Sequence, residues 1–404
     1  MNTLILVFAA LFGACVGSFL NVCIFRMPRA CLRLWKPKLS FCPKCRRTLE
    51  WWENIPILGY IALGGKCRTC KASIPLRYFF VELGTACLFL YLAGREVAVD
   101  EAHRSVPLFL VHAILGSAFI VAAIVDWDYR IIPDEIDVVG LLVAPFVAFF
   151  VPTIFFEVKD GAVVFDHLLH IPDLAANASI LLDSALPAWG LSEGTTSSVI
   201  APLRAIHDAL VHSPWQLAIS AAFTSLVGAA AGGGLVWIIG WAGKKVFGAE
   251  AMGFGDVKLM AMIGGFAGWQ GVLGALILAC LVGSVYGIYH KVKTGRTTIT
   301  GKDIVVSPTP VPEGPPMRQN ILSYFGLRIF GAPAPPSGYK ALRAFILSKE
   351  VYPLRPGGGL AARFATGDSY LPFGPFLVLG AFVCTLWPNA IYGALLQYSA
   401  WMNR

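Results

Sequence analysis

Met252-Gly253-Phe254-Gly255-Asp256-Val257-Lys258 sets a carboxylate between two long apolar runs. Upstream, Ala218–Phe247 is broken only by Lys244 and Lys245. Downstream, Leu259–Tyr289 carries no Asp, Glu, Lys or Arg. An ionisable group at a membrane boundary is costly, so Asp256 marks a functional site. Gly253 and Gly255 flank Phe254 and predict a sharp turn and a close helix approach. A second carboxylate at the same depth would complete an aspartic protease in a membrane.

The rest of the chain supports a membrane setting. Its 404 residues are 56% hydrophobic and only 14% charged. The mean hydropathy is +0.67. These values do not describe a soluble globular chain. A helix needs about 20 apolar residues to cross the ~30 Å hydrocarbon layer. The apolar runs predict an all-α polytopic membrane protein with spans near 4–25, 77–94, 106–125, 137–156, 216–243, 257–268, 270–289 and 373–390. That makes eight. Seven is the alternative, with the sixth and seventh forming one unit broken around Gly268-Trp269-Gln270. The first span does not read as a cleaved signal peptide, because the basic residues Arg26 and Arg29 follow it rather than precede it.

Basic residues accumulate on cytoplasmic loops. The stretch 26–77 is rich in Lys and Arg and has only Glu50 and Glu53 as acids. It is therefore expected in the cytoplasm, with the N-terminus in the periplasm. Alternation then places Asp126–Ile136 and Asp256 inside and the insert 157–215 outside. That insert is acidic, with Lys159 and Arg204 its only Lys or Arg. The net charge of +8 is thereby a topology signal and not a nucleic-acid signal.

Between the spans lie a cytoplasmic segment (27–76), a periplasmic insert (157–215) and a cytoplasmic Pro/Gly-rich insert (290–371). The spans fall into the blocks 1–26, 77–156, 216–289 and 372–404. The last insert contains Pro308, Pro310, Pro312, Pro315, Pro316 and further prolines, which exclude continuous helix or a central strand. No repeat of fixed period is visible.

Two chemistries stand out. Cys42-Pro43-Lys44-Cys45 and Cys67-Arg68-Thr69-Cys70 are CxxC pairs twenty-one residues apart. That is the spacing of a four-cysteine structural zinc site. Free or disulfide-paired thiols are the alternative, and a cytoplasmic location argues against stable disulfides. Four sulfur ligands leave no open position, so a catalytic zinc is not expected. The third span, meanwhile, ends in Val125-Asp126-Trp127-Asp128-Tyr129-Arg130-Ile131-Ile132-Pro133-Asp134 on the same side as Asp256. Two carboxylates about 3 Å apart share a proton, one serving as base and the other as acid. By chemistry alone Asp126 and Asp128 both qualify. Asp128, Asp134 and Asp137 also read as solvated groups at a helix–loop boundary, and Asp256 as a helix N-cap.

These residues resemble a known family, the bacterial type IV prepilin peptidases. Five blocks carry the resemblance, in order. They are Gly17-Ser18-Phe19-Leu20-Asn21-Val22 with Arg26-Met27-Pro28; the two CxxC pairs with Asn54-Ile55-Pro56-Ile57-Leu58, Arg77-Tyr78 and Glu82-Leu83; Asp126 through Asp134; Gly253–Lys258, which matches GxGDxK through Gly253, Gly255, Asp256 and Lys258; and Pro372-Phe373-Gly374-Pro375-Phe376. The alignment selects Asp126 over Asp128, and it covers roughly 1–150, 216–290 and 370–390.

The resemblance implies a bacterial inner-membrane aspartic endopeptidase with Asp126 and Asp256 as its catalytic pair. It implies cleavage of the leader of type IV prepilins and type II secretion pseudopilins at the cytoplasmic face. It also implies N-methylation of the new N-terminus from S-adenosylmethionine, and zinc on Cys42, Cys45, Cys67 and Cys70. The methyl-donor residues are not readable, since no GxGxxG follows a strand. The implied partners are the prepilin and pseudopilin substrates, the lipid bilayer and the secretion or pilus-assembly machinery. The two long inserts depart from the family's pattern. A presenilin-like GxGD protease is a second reading, but it does not account for the CxxC pairs. A non-catalytic zinc-binding transporter or scaffold is a third, with Asp126 and Asp256 as ion-pathway or structural carboxylates.

Overall fold

The computed structural model describes residues 2–28, 39–98, 105–129, 131–159, 162–166, 215–247, 252–294 and 373–386. Most of both inserts lies outside the described residues, as does the tail after Leu386; so do two short apolar stretches of the Pro/Gly-rich insert, 321–330 and 341–347, which the sequence suggests as membrane-surface contacts.

Eight α-helices stand among the described residues. They are α1 (Asn2–Arg26), α2 (Leu58–Ala62), α3 (Arg77–Glu96), α4 (Val106–Tyr129), α5 (Asp134–Phe150), α6 (Gln216–Phe247), α7 (Phe254–Thr294) and α8 (Gly374–Leu386). Five of them (α1, α3, α4, α6 and α7) are long and apolar enough to cross a membrane. Large apolar side chains such as Leu4, Phe8, Leu11, Ile114, Phe146 and Val285 stand exposed along these helices and α5. A soluble protein seldom exposes apolar side chains on this scale, whereas lipid accepts them.

The eight expected spans map onto these helices with shifted ends. The sixth and seventh are two helical stretches joined across a kink at the non-helical Gly268 (φ 69°, ψ 176°), together labelled α7. That left-handed φ is open to glycine at little cost. The expected insert from residue 290 begins later, because α7 runs to Thr294. The fourth span is shorter than expected. It ends at Phe150, and Pro152–Ile154 forms a 3-10 turn. A two-stranded antiparallel hairpin follows, β1 (Phe156–Lys159) with β2 (Ala162–Asp166). The strictly all-α expectation is corrected to that extent. Pro152 cannot continue a helix, and Asp160-Gly161 is a hairpin-turn dipeptide in the sequence.

The chain divides into two compact units. One comprises Met1–Ile136 and Val282–Val378, the other Asp137–Leu281 and Leu379–Arg404. In the first, α1 and α3 meet through glycine. A Cβ at Gly13 would lie 2.7 Å from Phe89 Cβ, and one at Gly17 2.7 Å from Glu82 Cα. In the second, α6 and α7 run antiparallel with their backbones in direct contact. A Cβ at Gly228 would overlap the carbonyl of Gly264, and one at Gly264 the carbonyl of Gly228. Helices in lipid associate through such small-residue packing rather than through hydrophobic driving force.

The seam sets an expectation. Gly264→Leu should lower stability by about 1–3 kcal/mol or more, because the helices must separate to admit the side chain. Thermal unfolding in detergent checks this. An unchanged midpoint would contradict the seam.

Candidate active site and metal centre

The segment between α1 and α3 folds around its cysteines. Cys42 N donates to Arg47 O (2.9 Å) and Arg46 N to Cys42 O (2.8 Å). Twenty-five residues later the pattern recurs, with Cys67 N donating to Ala72 O (2.8 Å) and Lys71 N to Cys67 O (3.0 Å). The bridges Phe41–Thr48 and Lys66–Ser73 repeat with the same offset. Arg46 (φ 61°) and Lys71 (φ 55°) both adopt the left-handed conformation that closes each knuckle. The segment is thus a two-fold structural repeat, a feature that the dissimilar residues around each CxxC hide.

The four sulfurs all lie within 4.8 Å of one another. Cys42 Sγ is 3.8 Å from Cys70 Sγ, and Cys45 Sγ is 3.9 Å from Cys67 Sγ. A tetrahedral zinc with Zn–S bonds of ~2.3 Å has sulfur–sulfur edges of about 3.8 Å. The arrangement therefore fits a structural metal ion held by Cys42, Cys45, Cys67 and Cys70. Backbone N–H groups of Cys70 and Thr69 hold the Cys67 thiol down to about 6. Burial pushes the Cys42 thiol up to about 12. A cation at the centre would reverse the latter effect, since a coordinating thiol is deprotonated outright.

Charged contacts brace this segment. Arg47 Nη2 donates to both oxygens of the buried Glu53 (2.7 and 2.9 Å), and Glu50 N donates to Glu53 Oε2 (2.8 Å). Arg47 accordingly holds the Glu53 carboxyl below its ordinary range. Ile57 N donates to Glu82 Oε2 (2.7 Å) and so ties the segment to α3.

Asp126 lies near the C-terminal end of α4 and is 7% exposed. The start of α8 faces it. A Cβ at Gly374 would lie 2.6 Å from Asp126 Oδ2. Only glycine lets the first turn of α8 come this close, and the positive end of a helix is a favourable neighbour for a carboxylate. Phe376 N and Leu377 N donate to Phe373 O (3.0 and 3.1 Å), which fixes that turn. Trp127, Tyr286 and Phe376 form a connected aromatic set, with ring centroids 5.5 and 5.8 Å apart.

Asp128, the rival to Asp126 on chemistry alone, is instead ion-paired with Arg77 at the start of α3. It is therefore a tether between α3 and α4 rather than a solvated group.

Asp256 belongs to the other unit. Helix α7 begins at Phe254, one turn earlier than the apolar run suggested, so Asp256 is its third residue and not its N-cap. Gly253 N donates to Asp256 Oδ2 (3.3 Å), and Asp256 N donates to Gly253 O (3.1 Å). The first bond is one half of a capping box, in which the N3 carboxylate accepts from the N-cap N–H; Gly253 has no side chain to return it, and the second bond is a backbone turn. Neither Gly253 nor Gly255 has a positive φ, so the expected sharp turn is not what these glycines provide.

Asp137 is the residue that the reading from sequence misplaced. It is fully buried in the first turn of α5, with its Oδ2 3.8 Å from Lys258 Nζ. The nearby Asp134, by contrast, is exposed.

Comparison with known proteins sets the chain in a family. The description "Bacterial Peptidase A24 N-terminal domain" matches residues 11–95, and "Type IV leader peptidase family" matches residues 205–288. A Pseudomonas aeruginosa protein named prepilin leader peptidase/N-methyltransferase is 30% identical over 301 residues, covering 69% of this chain and 78% of its own length. The chain belongs to the type IV leader peptidase family. A Stutzerimonas stutzeri family member with the same name is 29% identical over 336 residues, which is 78% of this chain and 88% of its own. No solved structure matches. The first family match contains all four cysteines and the second contains Gly253–Lys258.

For the metal, Cys42→Ser and Cys67→Ser should each lower bound zinc and reduce the amount of folded protein. Elemental analysis of the purified variants checks this. Full zinc occupancy in both would overturn the four-thiolate centre.

Proposed function

We propose that this peptidase-family protein removes the leader from type IV prepilins and type II secretion pseudopilins at the cytoplasmic face of the bacterial inner membrane. Asp126 and Asp256 are its catalytic pair. In this reading they share one proton. The ionised member takes a proton from water as it attacks the scissile carbonyl, and the protonated member polarises that carbonyl and then protonates the leaving amine. The pair titrates as a unit.

One observation carries the assignment of Asp126. Of the two neighbouring carboxylates at the end of α4, Asp128 is ion-paired with Arg77, while Asp126 is buried against the glycine that opens α8. A carboxylate occupied by a guanidinium makes a poor general base. A carboxylate lined by backbone and kept from bulk water suits one.

The orientation, with the zinc segment and both carboxylates inside, rests on the basic stretch 26–77. Methylation of the new N-terminus from S-adenosylmethionine is the second activity proposed, and the names of the relatives support it. Among the described residues the strands form a single hairpin, and no Gly-rich strand-to-helix turn offers a Rossmann-type methyl-donor site. No residue is therefore assigned to the donor. Pilus-assembly or secretion machinery is the proposed cellular partner.

The intact mass of a prepilin incubated with the purified protein and S-adenosylmethionine tests both activities. We expect loss of the leader together with gain of one methyl group, and leader loss alone without the donor. A prepilin of unchanged mass would overturn the reading. For Asp126, Gly374→Ala should lower kcat by roughly 10- to 100-fold while the protein still accumulates, because the new methyl displaces the carboxylate by a fraction of an ångström. Cleavage at the parental rate would show that this contact does not position it.

A further inference from the structure

Lys258 closes the Gly253–Lys258 motif, yet the cleavage chemistry assigns it no role. Positions i and i+2 of a helix point to different sides, so Lys258 does not face Asp256 across the turn. Its ammonium reaches α5, 3.8 Å from Asp137 Oδ2, and lies 5.8 Å from the Phe254 ring centroid. The Asp137 side chain is 0% exposed and that of Lys258 21%. A buried carboxylate is costly unless paired.

The pair is the first rung of a longer seam. A Cβ at Gly140 would overlap the Met262 sulfur, and one at Gly265 would lie 2.9 Å from Ala144 Cβ. Positions 137, 140 and 144 follow one face of α5, and 258, 262 and 265 one face of α7. The helices run parallel along this seam, with their first turns side by side. The upper rungs are close apolar contacts that carry no charge to select one register. The ionic rung is directional, because displacement by one residue would pull the Lys258 ammonium away from the buried Asp137 carboxylate. A single buried polar pair that sets register is the best-attested use of such groups.

We infer that Asp137 is a positioning residue for cleavage. Through Lys258 it fixes the register of the first turn of α7 against α5 and so sets where Asp256 stands. This rests on the peptidase reading. Asp137 touches no reacting atom in it.

The test is a double-variant cycle on prepilin cleavage by the full-length protein, with kcat and KM measured separately. Asp137→Asn and Lys258→Met should each lower kcat by roughly 10- to 100-fold with KM little changed. The double variant should be no slower than the worse single one, since both remove the same contact. Lys258→Arg keeps the charge and should retain most of the activity. Parental kcat in Asp137→Asn, or losses that multiply in the double variant, would overturn the inference. If the neutral variants do not accumulate, the exchanged pair Asp137→Lys with Lys258→Asp decides. Accumulation with cleavage supports the register role, and failure to accumulate overturns it. Absence of cleavage by the parental protein would instead count against the peptidase reading itself.

Discussion

The close approach of α6 and α7 is the constraint on which the second unit depends. Gly228 and Gly264 present bare backbone to each other, and Gly232 does the same to Met260. At these levels the nearest atoms across the seam are backbone carbonyls, which cannot move aside as a side chain would. On another face of α7, Gly265 and Met262 meet Ala144 and Gly140 of α5. A helix held this tightly on two faces has little freedom to rotate or slide. Asp256 sits in its first turn, capped back to Gly253, and inherits that rigidity.

The first unit reaches rigidity by other means. Its α1–α3 seam uses Gly13 and Gly17, and its four-cysteine segment is braced by the Arg47–Glu53 ion pair and fits a metal. A segment of about fifty residues buries too little apolar surface to fold alone, which explains the staple. Glu82 accepts from the backbone of Ile57, whose φ of 64° is unusual for a β-branched residue. Metal segment and spanning helices are thereby joined through a buried carboxylate. Asp126 belongs to this unit, at the end of α4 beside Gly374.

The membrane architecture was legible because hydropathy is additive along the chain. A run such as Leu259–Tyr289 declares itself without reference to any other segment. The four-cysteine cluster was legible because both halves of each CxxC are local. The break at Gly268 fell where the sequence suggested, though the hairpin after Phe155 was masked by its own apolar residues. Pairing between distant segments was not legible. Asp137 looked like one more solvated acid beside Pro133, since nothing in its neighbourhood points to Lys258. Likewise, Asp128 was separable from Asp126 by family resemblance but not by chemistry, because the Arg77 that engages it lies on another helix. The same limit hid the role of Gly374, whose importance comes from what it faces and not from its own backbone.

The central claim is that Asp126 and Asp256 together make the cleavage site. Prepilin cleavage by Asp126→Asn, Asp256→Asn and Asp128→Asn, each with normal zinc content, tests it most directly. We expect each of the first two to abolish leader removal, and Asp128→Asn to retain it at a reduced level. Cleavage that persists in either Asp126→Asn or Asp256→Asn would contradict the account.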